Sequence, residues 1–164
     1  MCRILDEDDG WVQRSVDGEW KGACAEGLPS RKNPKARLDF NPQYAVTITK
    51  PCDGFISLTQ KTKVNTFKGK NSIFFMVSKL GGKLISKVDK QTLVCKSGNP
   101  INLNIITAEC DFDKSVKYPY TFTLMVANTE KGSEGEGAYT VELYATDPKC
   151  KIEPLSQPKD FPQQ

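Results

Sequence analysis

The chain of 164 residues contains no histidine. Ser-His-Asp and Cys-His catalysis both need an imidazole to carry the proton, and most catalytic zinc sites need one as a ligand. None of these can be built here. No apolar run approaches the roughly 18 residues of a membrane-spanning helix. The stretch from Met1 to Asp9 turns acidic where a signal peptide would become apolar, so the expectation is a cytoplasmic chain. No C-x-x-C pair and no N-x-S/T sequon is present. Cys2, Cys24, Cys52, Cys95, Cys110 and Cys150 are widely scattered. Their even number leaves disulfides open, but the favoured reading is reduced, structural thiols. A sustained helical period with caps at both ends is also missing.

What is present is period-2 alternation in short runs separated by Gly, Pro, Asn and Asp, the pattern of strands. Tyr44, Val46 and Ile48 alternate with Ala45, Thr47 and Thr49, and Phe55 to Leu58 follow after a short turn, which reads as a hairpin. Further runs cover Ser72 to Ser78, Lys83 to Val88 and Pro100 to Ala108; Tyr120 to Val126 and Tyr139 to Tyr144 close the set. The length suits one domain. The expected fold is all-β, an antiparallel β-sandwich of about eight strands. Its organisation reads as an acidic tail over 1–10, a sandwich over 11–147, and a linker over 148–164, where four prolines gather.

Several signatures then line up in order. Gly18-Glu19-Trp20-Lys21-Gly22-Ala23-Cys24-Ala25-Glu26-Gly27 places a tryptophan ahead of a glycine-rich turn, and Phe40-Asn41-Pro42-Gln43-Tyr44 leads into a strand. Leu58-Thr59-Gln60-Lys61 ends another, and Tyr120 to Thr129, a loop to Gly137, and Ala138 to Thr146 form a closing pair. Together these resemble calpain domain III, the C2-like β-sandwich of the calpain cysteine proteases (peptidase family C2), over about residues 11 to 147. In the residues themselves, Pro42 fixes its own φ and biases Asn41 to an extended conformation, setting the entry to the strand. Gly22 and Gly27 allow a turn to approach the indole of Trp20. The cluster Trp20, Gly22, Gly27, Asn41, Pro42 and Gln43 reads as a structural plug. Two departures stand out: the family's A-G-G is Ala25-Glu26-Gly27, and its long acidic loop is reduced to Lys50-Pro51-Cys52-Asp53-Gly54.

Charge adds candidate surfaces. Between Lys61 and Lys90 there are eight lysines and one acid, Asp89, a local balance of +7 within a net +3. Lys61, Lys63, Lys68 and Lys70, with Phe67 at the tip of an expected hairpin, could meet an anionic membrane surface, each lysine worth roughly 1 kcal/mol. Lysines also guard sheet edges, and that reading stands beside the first. For Ca²⁺, which takes about 6 to 8 oxygen ligands, the candidates are Asp53, Asp111 and Asp113, set against solvated loop charge. Gly132 to Gly137 is no P-loop, because its glutamates would repel phosphate. No Arg-rich or stacking-aromatic pattern supports nucleic acid. The expectation is a non-catalytic module. The resemblance implies that it couples phospholipid or Ca²⁺ and protein contacts to a protease core absent from these residues, working in the cytoplasm or peripherally at a membrane. The alternative is a stand-alone protein-binding adaptor independent of lipid and calcium.

Overall fold

The computed structural model describes residues 10–29, 34–61, 72–98, 105–112, 116–128, 137–159 and Phe161. Within them lie nine strands: β1 (Val12–Trp20), β2 (Gln43–Ile48), β3 (Asp53–Lys61), β4 (Ile73–Ser78), β5 (Leu93–Lys96), β6 (Ile105–Asp111), β7 (Tyr120–Asn128), β8 (Gly137–Ala145) and β9 (Lys151–Pro154). Two single turns of 3₁₀ helix, Gly22–Cys24 and Leu38–Phe40, precede β2. The strands form one sheet in the order β1-β8-β3-β6 and another in the order β5-β4-β7-β2-β9. Every pairing is antiparallel. The expected all-β sandwich is therefore the fold.

Only β4 and β5 are consecutive strands that pair; every other connection between successive strands crosses from one sheet to the other. The order 1-8-3-6 facing 5-4-7-2 is that of a jelly roll, with β9 added at one edge. Two sequence readings are corrected by this. The Tyr44–Thr49 and Phe55–Leu58 runs are not a hairpin, since β2 and β3 lie in different sheets, and the closing pair β7 and β8 is divided in the same way. Alternation reveals which side chains face inward, and it is silent on the pairing partner.

The core between the sheets takes alternate residues from both. Val46, Ile48, Ile56, Leu58, Phe75, Phe122, Leu124, Val141 and Leu143 are all 0% exposed. Each such side chain contributes about 1.5–3 kcal/mol by leaving water. Behind the larger sheet a second cluster, Leu38, Met76, Ile85, Met125 and Ala127, is covered by the segments before β2 and after β4. Strand β7 is thus buried on both faces, which explains its unbroken apolar run Leu124-Met125-Val126-Ala127. The Lys83–Val88 run, read as a strand, is irregular; its Ile85 is pinned by Gln43 rather than by a ladder.

Three further differences concern covalent and local order. Cys95 on β5 and Cys110 on β6 form a disulfide with Cα atoms 5.6 Å apart, so these two are not the free thiols that their spacing suggested. The bridge ties the edge strands of the two sheets, a juxtaposition that exists only after folding. The segment read as a linker from 148 supplies β9, paired to β2 from Thr47↔Lys151 to Tyr44↔Pro154. Beyond it the Leu155 amide donates to the Gln43 carbonyl at 2.9 Å, and Phe161 packs edge-on against Phe40 at 5.3 Å.

Candidate interaction sites

Two of the motif residues, Trp20 and Pro42, meet at one strand residue, Val126. Its carbonyl accepts the indole N–H of Trp20 at 3.3 Å, while its amide donates to the Pro42 carbonyl at 3.1 Å. Trp20, 1% exposed, also packs on Tyr139 with ring centroids 4.6 Å apart. The Asn41 amide group donates to the Gly27 carbonyl at 2.9 Å. Gln43 donates to the carbonyls of Leu38 (3.2 Å) and Ile85 (2.8 Å) and accepts the Ile85 amide at 2.6 Å. Gly22 and Gly27 hold φ of 57° and 79°, a region open to glycine at little cost. The indole N–H of Trp20 and the side-chain amide of Gln43 are thus engaged inside the protein, while the Asn41 side-chain oxygen is buried without a hydrogen-bond partner.

Of the aspartates considered for calcium, Asp53 and Asp111 are brought directly opposite each other, on β3 and β6. Both are exposed, and Asp111 stands in a strand instead of the expected loop. Asp113 lies outside the described residues. Two carboxylates fall well short of the roughly 6 to 8 oxygens of a calcium site. Among the described residues no group of three or more His, Cys, Asp or Glu is arranged to hold a metal.

Of the lysine group, Lys61 is described; Lys63, Phe67, Lys68 and Lys70 lie outside the described residues. Lys61 ends β3 and its ammonium lies 3.6 Å from an Asp17 carboxylate oxygen across the sheet. Hydrogen bonding from the Thr140 hydroxyl, followed by the charge of Lys61, holds the Asp17 carboxyl below its ordinary range. An exposed, solvent-screened pair of this kind adds little to stability.

Asp147 was not singled out in the sequence, yet three donors converge on it. It is 1% exposed and accepts from the Thr49 amide (2.6 Å), the Thr49 hydroxyl (2.8 Å) and the Lys149 amide (3.0 Å). Burial alone would raise its pKa, but those donors outweigh burial and hold the carboxyl below its ordinary value. The thiols are the opposite case. Burial pushes Cys52 up to about 11 and also raises Cys24 and Cys150, so all three stay protonated and poorly nucleophilic near neutral pH.

No family model matches the chain, and no curated protein matches it. Among solved structures, it is similar to a chain of the Israeli acute paralysis virus full particle heated to 63 degrees, at 8% identity and TM-score 0.37, covering 98% of this chain and 85% of that one. It is also similar to a chain of the Israel acute paralysis virus pentamer, at 10% identity and TM-score 0.36, covering 97% of this chain and all of that one (100%). The class defined by the strand pairing itself is a two-sheet jelly-roll sandwich.

Proposed function

We propose that this jelly roll is a non-catalytic binding module of the calpain domain III type, coupling phospholipid or Ca²⁺ and protein contacts to a cysteine-protease core absent from these residues. The supporting observation is that Trp20 and Pro42 meet at Val126 while the neighbouring Asn41 and Gln43 bond to Gly27, Leu38 and Ile85. The residues that carry the resemblance act as one structural unit, as a family signature of the fold would. The absence of histidine from the sequence supports a binding role in place of proteolysis. Lysines near β3 would meet anionic lipid.

Co-sedimentation with phosphatidylcholine vesicles, with and without phosphatidylserine, tests the lipid role. The expected result is binding that needs phosphatidylserine, falls with salt, and is lost when Lys61, Lys63, Lys68 and Lys70 are changed to Glu. A thermal midpoint that rises in millimolar Ca²⁺ would add calcium to the ligands, by linkage. No vesicle binding at any salt would favour the adaptor reading, in which the module binds proteins alone.

A further inference from the structure

The register of the four-stranded sheet defines what stands on its outer face. The core takes Ile56, Leu58, Ile106, Cys110, Val141 and Leu143, so alternate positions line up across the opposite side. One row runs Gln13, Tyr144, Phe55, Glu109, the next Ser15, Glu142, Ser57, Thr107, and the next Asp17, Thr140, Thr59, Ile105. Flanking positions add Asp53 opposite Asp111 and Glu19 in line with Lys61. Among the described residues the face thus carries Asp17, Glu19, Asp53, Glu109, Asp111 and Glu142 against a single lysine, on a chain whose net charge is +3.

Two other features share that face. Phe55 and Tyr144 stack at 4.6 Å and 18°, and Trp11 packs on Phe55 at 5.8 Å. With Phe55 and Tyr144 turned on each other, the cluster offers ring edges outward, which suit the methylene stems of Lys and Arg better than the flat face of a sugar. At the centre, between Glu142 and Thr107, Ser57 is 3% exposed and its hydroxyl has no hydrogen-bond partner. A buried polar group in that condition is uncommon, and one at the floor of a binding face would be satisfied by an occupant.

We propose that this face binds a Lys/Arg-rich peptide segment of a partner protein. Glu109 and Asp111 on β6, and Asp17 and Glu19 on β1, are each two residues apart along a strand. That is about 7 Å, the repeat at which an extended peptide presents alternate side chains. The carboxylates take the cationic heads, the aromatic edges take the stems, and the Ser57 hydroxyl, covered in the free protein, gains a polar partner as its neighbours shift to seat the peptide. An anionic leaflet would be repelled. The inference is independent of the calpain resemblance and rests on the carboxylates, sharing only Lys61 with the lysine group, so either can fail alone.

The test is titration of the full chain with hexalysine and hexa-arginine peptides, using hexaglutamine as the neutral control, by calorimetry and tryptophan fluorescence at low and high salt. Binding of both basic peptides is expected, weakening with salt, with an emission change that disappears in Trp11→Phe because Trp20 is remote in the core. The pair Glu109→Gln/Asp111→Asn should lose about tenfold in affinity with an unchanged melting midpoint. Asp89→Asn/Glu153→Gln, the same charge change off the face, should lose less than about twofold. Absence of binding, equal loss in both pairs, or a signal that survives Trp11→Phe would overturn the proposal. So would displacement of the peptide by Ca²⁺ below millimolar, or capture of anionic vesicles that the face variants abolish.

Discussion

At the corner where the chain leaves β2, Asp147 gathers three donors from Thr49 and Lys149, and its charge is what makes those bonds strong. Asp147→Asn should cost about 2–3 kcal/mol near neutral pH, since hydrogen bonds to a charged group are each worth roughly 1.5–3 kcal/mol and one donor loses its acceptor. The pKa is depressed in the folded state, so this stabilisation is complete above the ordinary aspartate value of 3.8 and is lost as pH falls through the lower folded value. Urea midpoints measured from pH 7 downward should show the two proteins converging only below that range. Gly18 gives a second prediction. A Cβ there would collide with the hydroxyl of Tyr139 and lie 2.7 Å from that of Tyr44, a buried pair bonded to each other. Gly18→Ala should therefore cost about 1–3 kcal/mol, and Tyr139→Phe should recover part of that loss in a double-mutant cycle of melting midpoints. Neither role was visible in sequence, because Thr49, which gives Asp147 two of its three donors, lies 98 residues upstream, and Tyr139, which crowds Gly18, lies 121 downstream. Trp20 was legible, because a large indole beside glycines has few uses other than burial.

Among the elements, the long alternating strands were readable and the short ones were not. β4 and β7 fall where alternation placed them. β5 and β9, of four residues each, are too short to establish a period, and β9 sits among prolines. β1 escaped because its inward positions include Arg14 and Gly18, which break the apolar alternation. The bridge between β5 and β6 closes the sandwich on one side and spans 15 residues. A loop of that length gives about 3 kcal/mol by restricting the unfolded chain. Reductant should lower the melting midpoint of the native protein and leave a Cys95→Ser/Cys110→Ser variant unchanged, with the reduced native protein and the variant melting together. A native protein insensitive to reductant would remove the disulfide's contribution.

For the whole molecule, the crossing of the chain between sheets at every connection but β4–β5 has a kinetic and a cooperative consequence. Neither sheet can form from a continuous stretch of sequence, so neither should persist alone. Denaturant unfolding followed by tryptophan fluorescence and by far-ultraviolet circular dichroism should give coincident transitions. Refolding should take about milliseconds to seconds, as befits non-local pairings. Separated transitions would show that one sheet survives the other.

The sequence by itself determined the all-β character, the inward faces of the long strands, the burial of Trp20, the extended entry at Asn41-Pro42, and, through the missing histidine, the exclusion of imidazole-based catalysis. These are consequences of local chemistry: period-2 alternation, proline geometry, and the presence or absence of a residue type. Only the tertiary structure decided which strands pair, that Cys95 meets Cys110, that the segment after Pro148 completes a sheet, and that six acids scattered from Asp17 to Glu142 share one outer face. Each of those depends on residues far apart in the chain being brought together by strand register, and register is set by the packing of the entire sandwich.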